Sequence, residues 1–314
     1  MVSRHALVTG CSRGIGLAVT KALLGAGWRV YGAARTAPDF ADPHFRFIPA
    51  DVADLASVEA LRTEVEADLN GAALDALIHC AVVQNPIGLL EETDPAEWAR
   101  SIQVGLIGSY NVVRLLLPYL HRSQDARVLL FAGGGAFSPR PRFSAYACAK
   151  AGVVRLAETL AEELADSTIS VNCVAPGFVP TPIHQSTLQA GPALAGAEYD
   201  RVIRDVAYDD GSRLAQVVNC IQHLLSPFAR GLSGKTVAAQ FDDWEHLTPF
   251  TVPALMASDL WTARRINQLP AEDASGGQAL TLPLKSNCPR PSGPSRRLPK
   301  DSRVRRFRGA TDRT

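Results

Sequence analysis

Tyr146 and Lys150, four residues apart in Tyr146-Ala147-Cys148-Ala149-Lys150, are the pair best suited to proton chemistry in this chain. Positions i and i+4 of a helix share one face, so a phenol and an ammonium at this spacing can open into a common cleft. A neighbouring cation favours the phenolate, so the pair predicts a Tyr146 pKa lowered toward neutrality, where a general acid or base works best. The same spacing also arises from a half-buried aromatic beside a solvated charge, and the pair alone does not choose between these readings.

A second motif lies at the N-terminus. Ala6-Leu7-Val8-Thr9 reads as a short apolar strand that runs into Gly10-Cys11-Ser12-Arg13-Gly14-Ile15-Gly16 and an amphipathic helix. Gly10 allows a tight turn, Gly14 lets backbone approach a pyrophosphate, and Gly16 lets the helix pack on the sheet, with free N–H groups at the helix start facing the anion. The bland alternative is a glycine-rich turn with no ligand. The next strand ends in Arg35. An acid there would hydrogen-bond a ribose 2′-hydroxyl, whereas an arginine suits a 2′-phosphate. With Arg13 as a second cation, the pattern favours NADP (NADPH) over NAD, unless Arg35 only solvates the strand end.

Together these residues resemble the short-chain dehydrogenase/reductase family, in the family's order over roughly residues 4 to 245. Thr9-Gly10 with Gly14-Ile15-Gly16 is similar to its cofactor motif, and Tyr146/Lys150 to its catalytic pair. Asp51-Val52 resembles the segment that contacts adenine, Ala81 falls in the motif after the fourth strand, and Pro176-Gly177 with Thr181 resembles the segment that holds the nicotinamide end. The resemblance implies a carbonyl/alcohol oxidoreductase: the tyrosine passes a proton to the carbonyl oxygen, and the lysine holds the nicotinamide ribose and lowers the tyrosine pKa. It also implies pairing into a homodimer or homotetramer through two long helices.

Four positions depart from the family pattern. The serine expected about a dozen residues before the tyrosine is replaced by Ala132-Gly133-Gly134-Gly135, and the asparagine of the water relay to the lysine by Gly105. The Asn-Asn-Ala-Gly motif reads His79-Cys80-Ala81-Val82, and the final glycine pair reads Asp242-Asp243-Trp244. Losing a preorganised donor costs on the order of 10²–10³ in rate. Ser138, Ser144 or the backbone N–H groups of Gly133 and Gly134 could serve the substrate oxygen instead, and restoring the hydroxyl by Gly133→Ser is expected to improve turnover. His79 reads as a structural hydrogen-bonder and Cys148 as core. Arg140 and Arg142 read as either a clamp for a substrate anion or exposed solubilising charge, the second being the simpler.

Strands at about 5–9, 28–34, 45–49, 74–80, 126–132, 169–175 and 234–240 alternate with helices near 14–25, 55–69, 96–121, 144–166 and 212–226. That alternation predicts an α/β, Rossmann-like, doubly wound parallel sheet. The expected division is a dinucleotide-binding catalytic domain at 1–246, a short helical extension at 247–267 capped by Ser258 or Asp259, and a disordered basic tail at 268–314. Residues 178–211 read as a Pro/Gly-containing interruption where the family has its substrate lid.

With 314 residues, 46% of them hydrophobic, the chain can bury one large core, and a net charge of +1 gives no case for nucleic acid. No apolar run approaches the ~20 residues of a membrane span, and no leader precedes the first strand. Six scattered cysteines show no disulfide or metal spacing and read as buried thiols of a cytoplasmic protein. The expectation is a homo-oligomeric oxidoreductase acting on a small carbonyl or alcohol. A catalytically impaired relative that binds NADP(H) as a regulator or partner, or a non-redox enzyme in the same pocket, stays open.

Overall fold

The computed structural model describes residues 4–263. Seven strands, β1 (His5–Thr9), β2 (Arg29–Ala34), β3 (Phe45–Pro49), β4 (Ala76–His79), β5 (Ala126–Phe131), β6 (Ile169–Ala175) and β7 (Thr236–Ala238), form one parallel sheet in the order β3-β2-β1-β4-β5-β6-β7. The order reverses between β1 and β4, and a crevice opens at the carboxyl ends of the strands at such a switch point.

Both faces are covered because successive strand residues alternate sides. Leu7, Val128 and Leu130 pack with Val58, Leu61 and Val65 of α2 (Leu55–Leu69), Val112 and Leu116 of α4 (Gly108–Leu120), and Val153 of α5 (Ser144–Glu163). Ala6, Val8 and Leu129 pack on the opposite face with Val19 and Leu23 of α1 (Gly14–Gly25) and Val217 and Ile221 of α8 (Ser212–Leu224). Strands buried on both faces read as continuous apolar runs, which is why they were legible.

The expected helix at 96–121 is interrupted. It consists of α3 (Pro95–Ile102), capped by Asp94 on the amides of Ala96 and Glu97, then one π turn over Gln103–Ile107, then α4. Residues 178–211 hold more regular structure than their composition predicts: α6 (Gln185–Ala195) and α7 (Ala197–Ala207), broken at Gly191 (φ 73°) and Gly196 (φ 57°).

The segment after β7 also departs from expectation. Its short helix α9 is Val252–Met256, and Ser258 and Asp259 cap no helix within the described residues. Beyond α9 the chain returns over the sheet edge: Thr236 N–H donates to Trp261 O (2.7 Å) and Lys235 Nζ to Ser258 O (2.7 Å). Asp242 accepts from Ala238 N–H (2.6 Å) and Trp244 Nε1 donates to Ala239 O (2.8 Å), so the residues replacing the glycine pair stitch the exit of β7. The basic tail lies outside the described residues. Among those described, no helix is long and apolar enough to cross a membrane, and no cluster of acids, histidines or cysteines is arranged for a metal.

Cys11, Cys173 and Cys220 are buried and Cys80 is partly so, but Cys148 is exposed. The buried face of α5 runs Ala145, Tyr146, Ala149, Lys150, Val153, and position 148 falls opposite it. An i+2 offset turns a helix through about 200°, which carries the thiol to the outer surface rather than the core.

Candidate active site

A cleft of about 1160 Å³ runs along the carboxyl ends of the strands. Gly10, Ser12, Arg13, Gly14, Ile15 and Gly16 line one end, with Arg35, Asp51, Val52 and Ala81 beside them. Gly133, Gly134, Ser138, Tyr146, Lys150, Pro176, Gly177 and Thr181 line the other. These residues therefore border one space, which is large enough for a dinucleotide and a small substrate.

The glycine turn is shaped by contacts that admit no side chain. Gly10 has φ +67°, and a Cβ there would lie 2.9 Å from Ala81 N; a Cβ on Gly16 would lie 2.2 Å from Gly10 O. The first turn of α1 carries no acid and Arg13 makes no side-chain cap, so the start of the helix, with its partial positive charge, fits an anion. Asp51 is engaged already: it pairs with Arg100 of α3 and accepts from Ala53 N–H (3.0 Å). Burial would raise its carboxyl, but the Ala53 amide and Arg100 outweigh that and hold it below the usual range.

Tyr146 and Lys150 are 9% and 4% exposed on the inner face of α5. Their electrostatics differ from the sequence expectation. Burial pushes the phenol up, and the charge that opposes this shift is Arg140, not Lys150. The ammonium of Lys150 is 5.7 Å from the Tyr146 ring and donates to Phe131 O (2.7 Å), and burial lowers its own pKa to about 8. Tyr146 therefore stays protonated at neutral pH, the state a proton donor needs.

The two side chains missing from the family pattern leave no voids. A Cβ on Gly133 would lie 2.5 Å from Tyr146 Oη, so the phenol hydroxyl occupies the space of the lost serine. A Cβ on Gly105 would lie 2.9 Å from Ala149 Cβ, so α5 fills the space of the lost asparagine. Gly105 lies in the π turn, a feature frequent at functional sites. This corrects the expectation for Gly133→Ser: the new side chain displaces the phenol rather than assisting it. Gly133→Ser and Gly133→Ala should both lower kcat by about tenfold or more, since roughly 1 Å of misplacement can cost 10²-fold. Steady-state rates of the two variants check this, and a serine variant faster than the parent would refute it.

At the substrate end the simpler expectation for Arg140 and Arg142 fails, and His184 was not foreseen. Arg140 is not a solubilising charge: its side chain is 12% exposed and pairs with Glu198 of α7 (3.0 Å). Arg142 (φ 70°) donates to Ala193 O (2.9 Å) and Leu194 O (3.1 Å) at the end of α6. His184 stacks on Phe178 at 4.4 Å, and burial, with Arg140 nearby, lowers its pKa to about 4. Only Arg140 and Arg142 carried a sequence signal, their proline spacing. His79 has the structural setting expected of it, buried with Nδ1 3.0 Å from Thr9 Oγ1 and its pKa lowered to about 3 by burial. Ser144 accepts from Trp98 Nε1 (3.0 Å), which ties it to α3 and away from the substrate oxygen.

Residues 4–191 match the family model described as short chain dehydrogenase. This chain belongs to the short chain dehydrogenase family. It is similar to nodulation protein G of Rhizobium sp. (strain N33), 32% identical over 186 residues that cover 57% of this chain and 74% of that one. The D-beta-hydroxybutyrate dehydrogenase of Rhizobium meliloti is 28% identical over 217 residues, covering 65% and 83% of the two chains. Among solved structures, actinorhodin polyketide ketoreductase with NADPH superposes with a TM-score of 0.65 at 23% identity, over 75% of this chain and 95% of that one. The short chain dehydrogenase assignment makes this protein an oxidoreductase of a family that works with nicotinamide cofactors.

Proposed function

We propose that this short chain dehydrogenase reduces a small carbonyl compound, or oxidises the corresponding alcohol, with NADP(H). The observation that carries the reading is the burial of Tyr146 and Lys150 on one face of α5, in the cleft that the glycine turn closes at its other end. When bound, the cofactor supplies hydride to the carbonyl carbon. Tyr146 Oη gives its proton to the carbonyl oxygen and regains one from solvent. Lys150, beside Phe131 O, would hold a hydroxyl of the nicotinamide ribose, and Pro176, Gly177 and Thr181, which line the same cleft, would border the nicotinamide end. Arg13 and exposed Arg35 stand at the adenosine end, where a 2′-phosphate would sit.

The test is NADPH and NADH titration of the purified protein, followed by NADPH consumption over a carbonyl panel. NADPH should bind more tightly than NADH. Arg35→Asp should reverse that order, because it places an acid where a 2′-hydroxyl would be read. Equal affinities unchanged by Arg35→Asp would count against the NADP assignment.

The pH profile follows from Lys150. It is a cation below about 8 and neutral above. An ammonium that holds a ribose hydroxyl and offsets developing negative charge is therefore lost on the alkaline side, and reduction should slow as pH rises through about 8. A flat rate to pH 10, measured at saturating NADPH, would exclude that role.

The homo-oligomer belongs to the same reading. Ile107 and Tyr110, 44% and 46% exposed around the start of α4, are the apolar residues available for a partner helix.

A further inference from the structure

The lost serine leaves the reacting oxygen without a side-chain donor at Gly133, and a cation lies over the neighbouring Gly134-Gly135 pair. Arg140 leaves the Ser138–Phe143 loop and folds over the glycine run. A Cβ on Gly134 would meet Arg140 Cδ at 3.5 Å and Nε at 3.7 Å, and one on Gly135 would meet Arg140 Cβ at 3.3 Å, so the absence of side chains there makes room for it. Its guanidinium carbon stands 4.1 Å from the Phe143 ring centroid and 5.1 Å from that of Tyr146, within the range of cation–π attraction. Nε and Nη2 both donate to Glu198 Oε2 (3.3 and 3.0 Å). Among the described residues Nη1 makes no protein hydrogen bond, and Arg140 lines the cleft with Tyr146 and Ser138.

Resting on the oxidoreductase reading above, we infer that Arg140 is the catalytic donor that replaces the serine: Nη1–H binds the substrate's carbonyl oxygen beside Tyr146 Oη and carries the negative charge that develops there. The pairing with Glu198 decides between two possible ligands. A guanidinium whose charge is already matched by a carboxylate is a poor clamp for a second anion, and its forked edge is taken, but one free N–H remains well suited to a neutral carbonyl. As hydride reaches the carbonyl carbon, the C=O π pair moves to oxygen and takes the Tyr146 proton, while Arg140 loses nothing and stays protonated. The opposing influence of Arg140 on the buried phenol's pKa is consistent with charge at that position. Glu198 of α7 is then a positioning residue, so seating of the α6–α7 segment orients the donor.

The experiment compares the full chain with Arg140→Met, Arg140→Lys and Tyr146→Phe, using NADPH with ethyl acetoacetate as the neutral probe and acetoacetate as the anionic one. Arg140→Met should lower kcat on the ester about 10²-fold, the cost of one lost oxyanion donor. NADPH affinity should hold, Arg140→Lys should fall between, and added methylguanidinium should restore part of the rate. An unchanged kcat overturns the inference, and so does a loss confined to acetoacetate and expressed in KM, which marks a carboxylate clamp. A second measurement needs no substrate. The ultraviolet tyrosinate titration of Tyr146, isolated by subtracting Tyr146→Phe, should move to higher pH in Arg140→Met, and an unmoved midpoint overturns the inference. If Tyr146→Phe keeps the parent rate, the reading of the reaction fails first; if only Arg140→Met does, the reaction stands and this donor does not.

Discussion

Replacing Tyr146 by phenylalanine is expected to lower kcat by roughly 10²–10⁴-fold, the usual worth of a positioned general acid, while NADPH affinity and melting temperature stay close to the parent values. At about 1.4 kcal/mol per tenfold, that is about 3–5 kcal/mol of transition-state stabilisation carried by one oxygen atom. The substitution removes that atom alone. The ring stays between Gly133 and the Arg140 guanidinium, and the packing of α5 against the sheet does not pass through the hydroxyl. Fluorescence titration and calorimetry alongside the rate separate a chemical defect from a folding one. A Tyr146→Phe rate within fivefold of the parent would remove the phenol from the reaction, whereas NADPH binding without turnover, unchanged by Tyr146→Phe, would favour the regulator alternative.

Gly16→Ala should be nearly as damaging by another route. The added Cβ would meet a backbone carbonyl, Gly10 O, at 2.2 Å, and no side-chain rotation relieves that contact. The turn must open or α1 must withdraw from the sheet. Over-packing of this kind costs about 1–3 kcal/mol, and the amides at the start of α1 lose their common focus. NADPH affinity should fall by about 100-fold or more, and the melting temperature should drop. Gly25→Ala at the other end of the same helix is the control, since a Cβ there meets nothing within 4 Å and should leave both quantities unchanged. If Gly16→Ala bound NADPH like the parent, the pyrophosphate would have to sit elsewhere.

The seven strands and four of the five long helices were legible because their signals are local, whereas the fifth, at 96–121, is broken by a π turn. Leu7, Val128 and Leu129 belong to runs buried on both faces, and the glycines of the first turn fall between a strand and a helix. The substrate end was not legible, because its chemistry is assembled across the chain. Arg140 and Glu198 are 58 residues apart, and no local pattern pairs them. α7 buries only Val202, and the Gly191-Pro192 break disguises α6. The empty positions Gly133 and Gly105 were visible as losses. What fills them, the Tyr146 hydroxyl and the Ala149 methyl, requires coordinates.

The strap that returns across β7 has a consequence for how this protein behaves in concentrated solution. A sheet ends in a row of open backbone groups that invite a strand from another molecule, and proteins protect themselves by shortening or covering that border. Here the outermost strand is three residues long, and the Trp261 carbonyl already holds the Thr236 amide. Truncation after Ala257 would uncover that amide, so the principal cost of trimming the chain there is self-association of a molecule whose cleft is still whole.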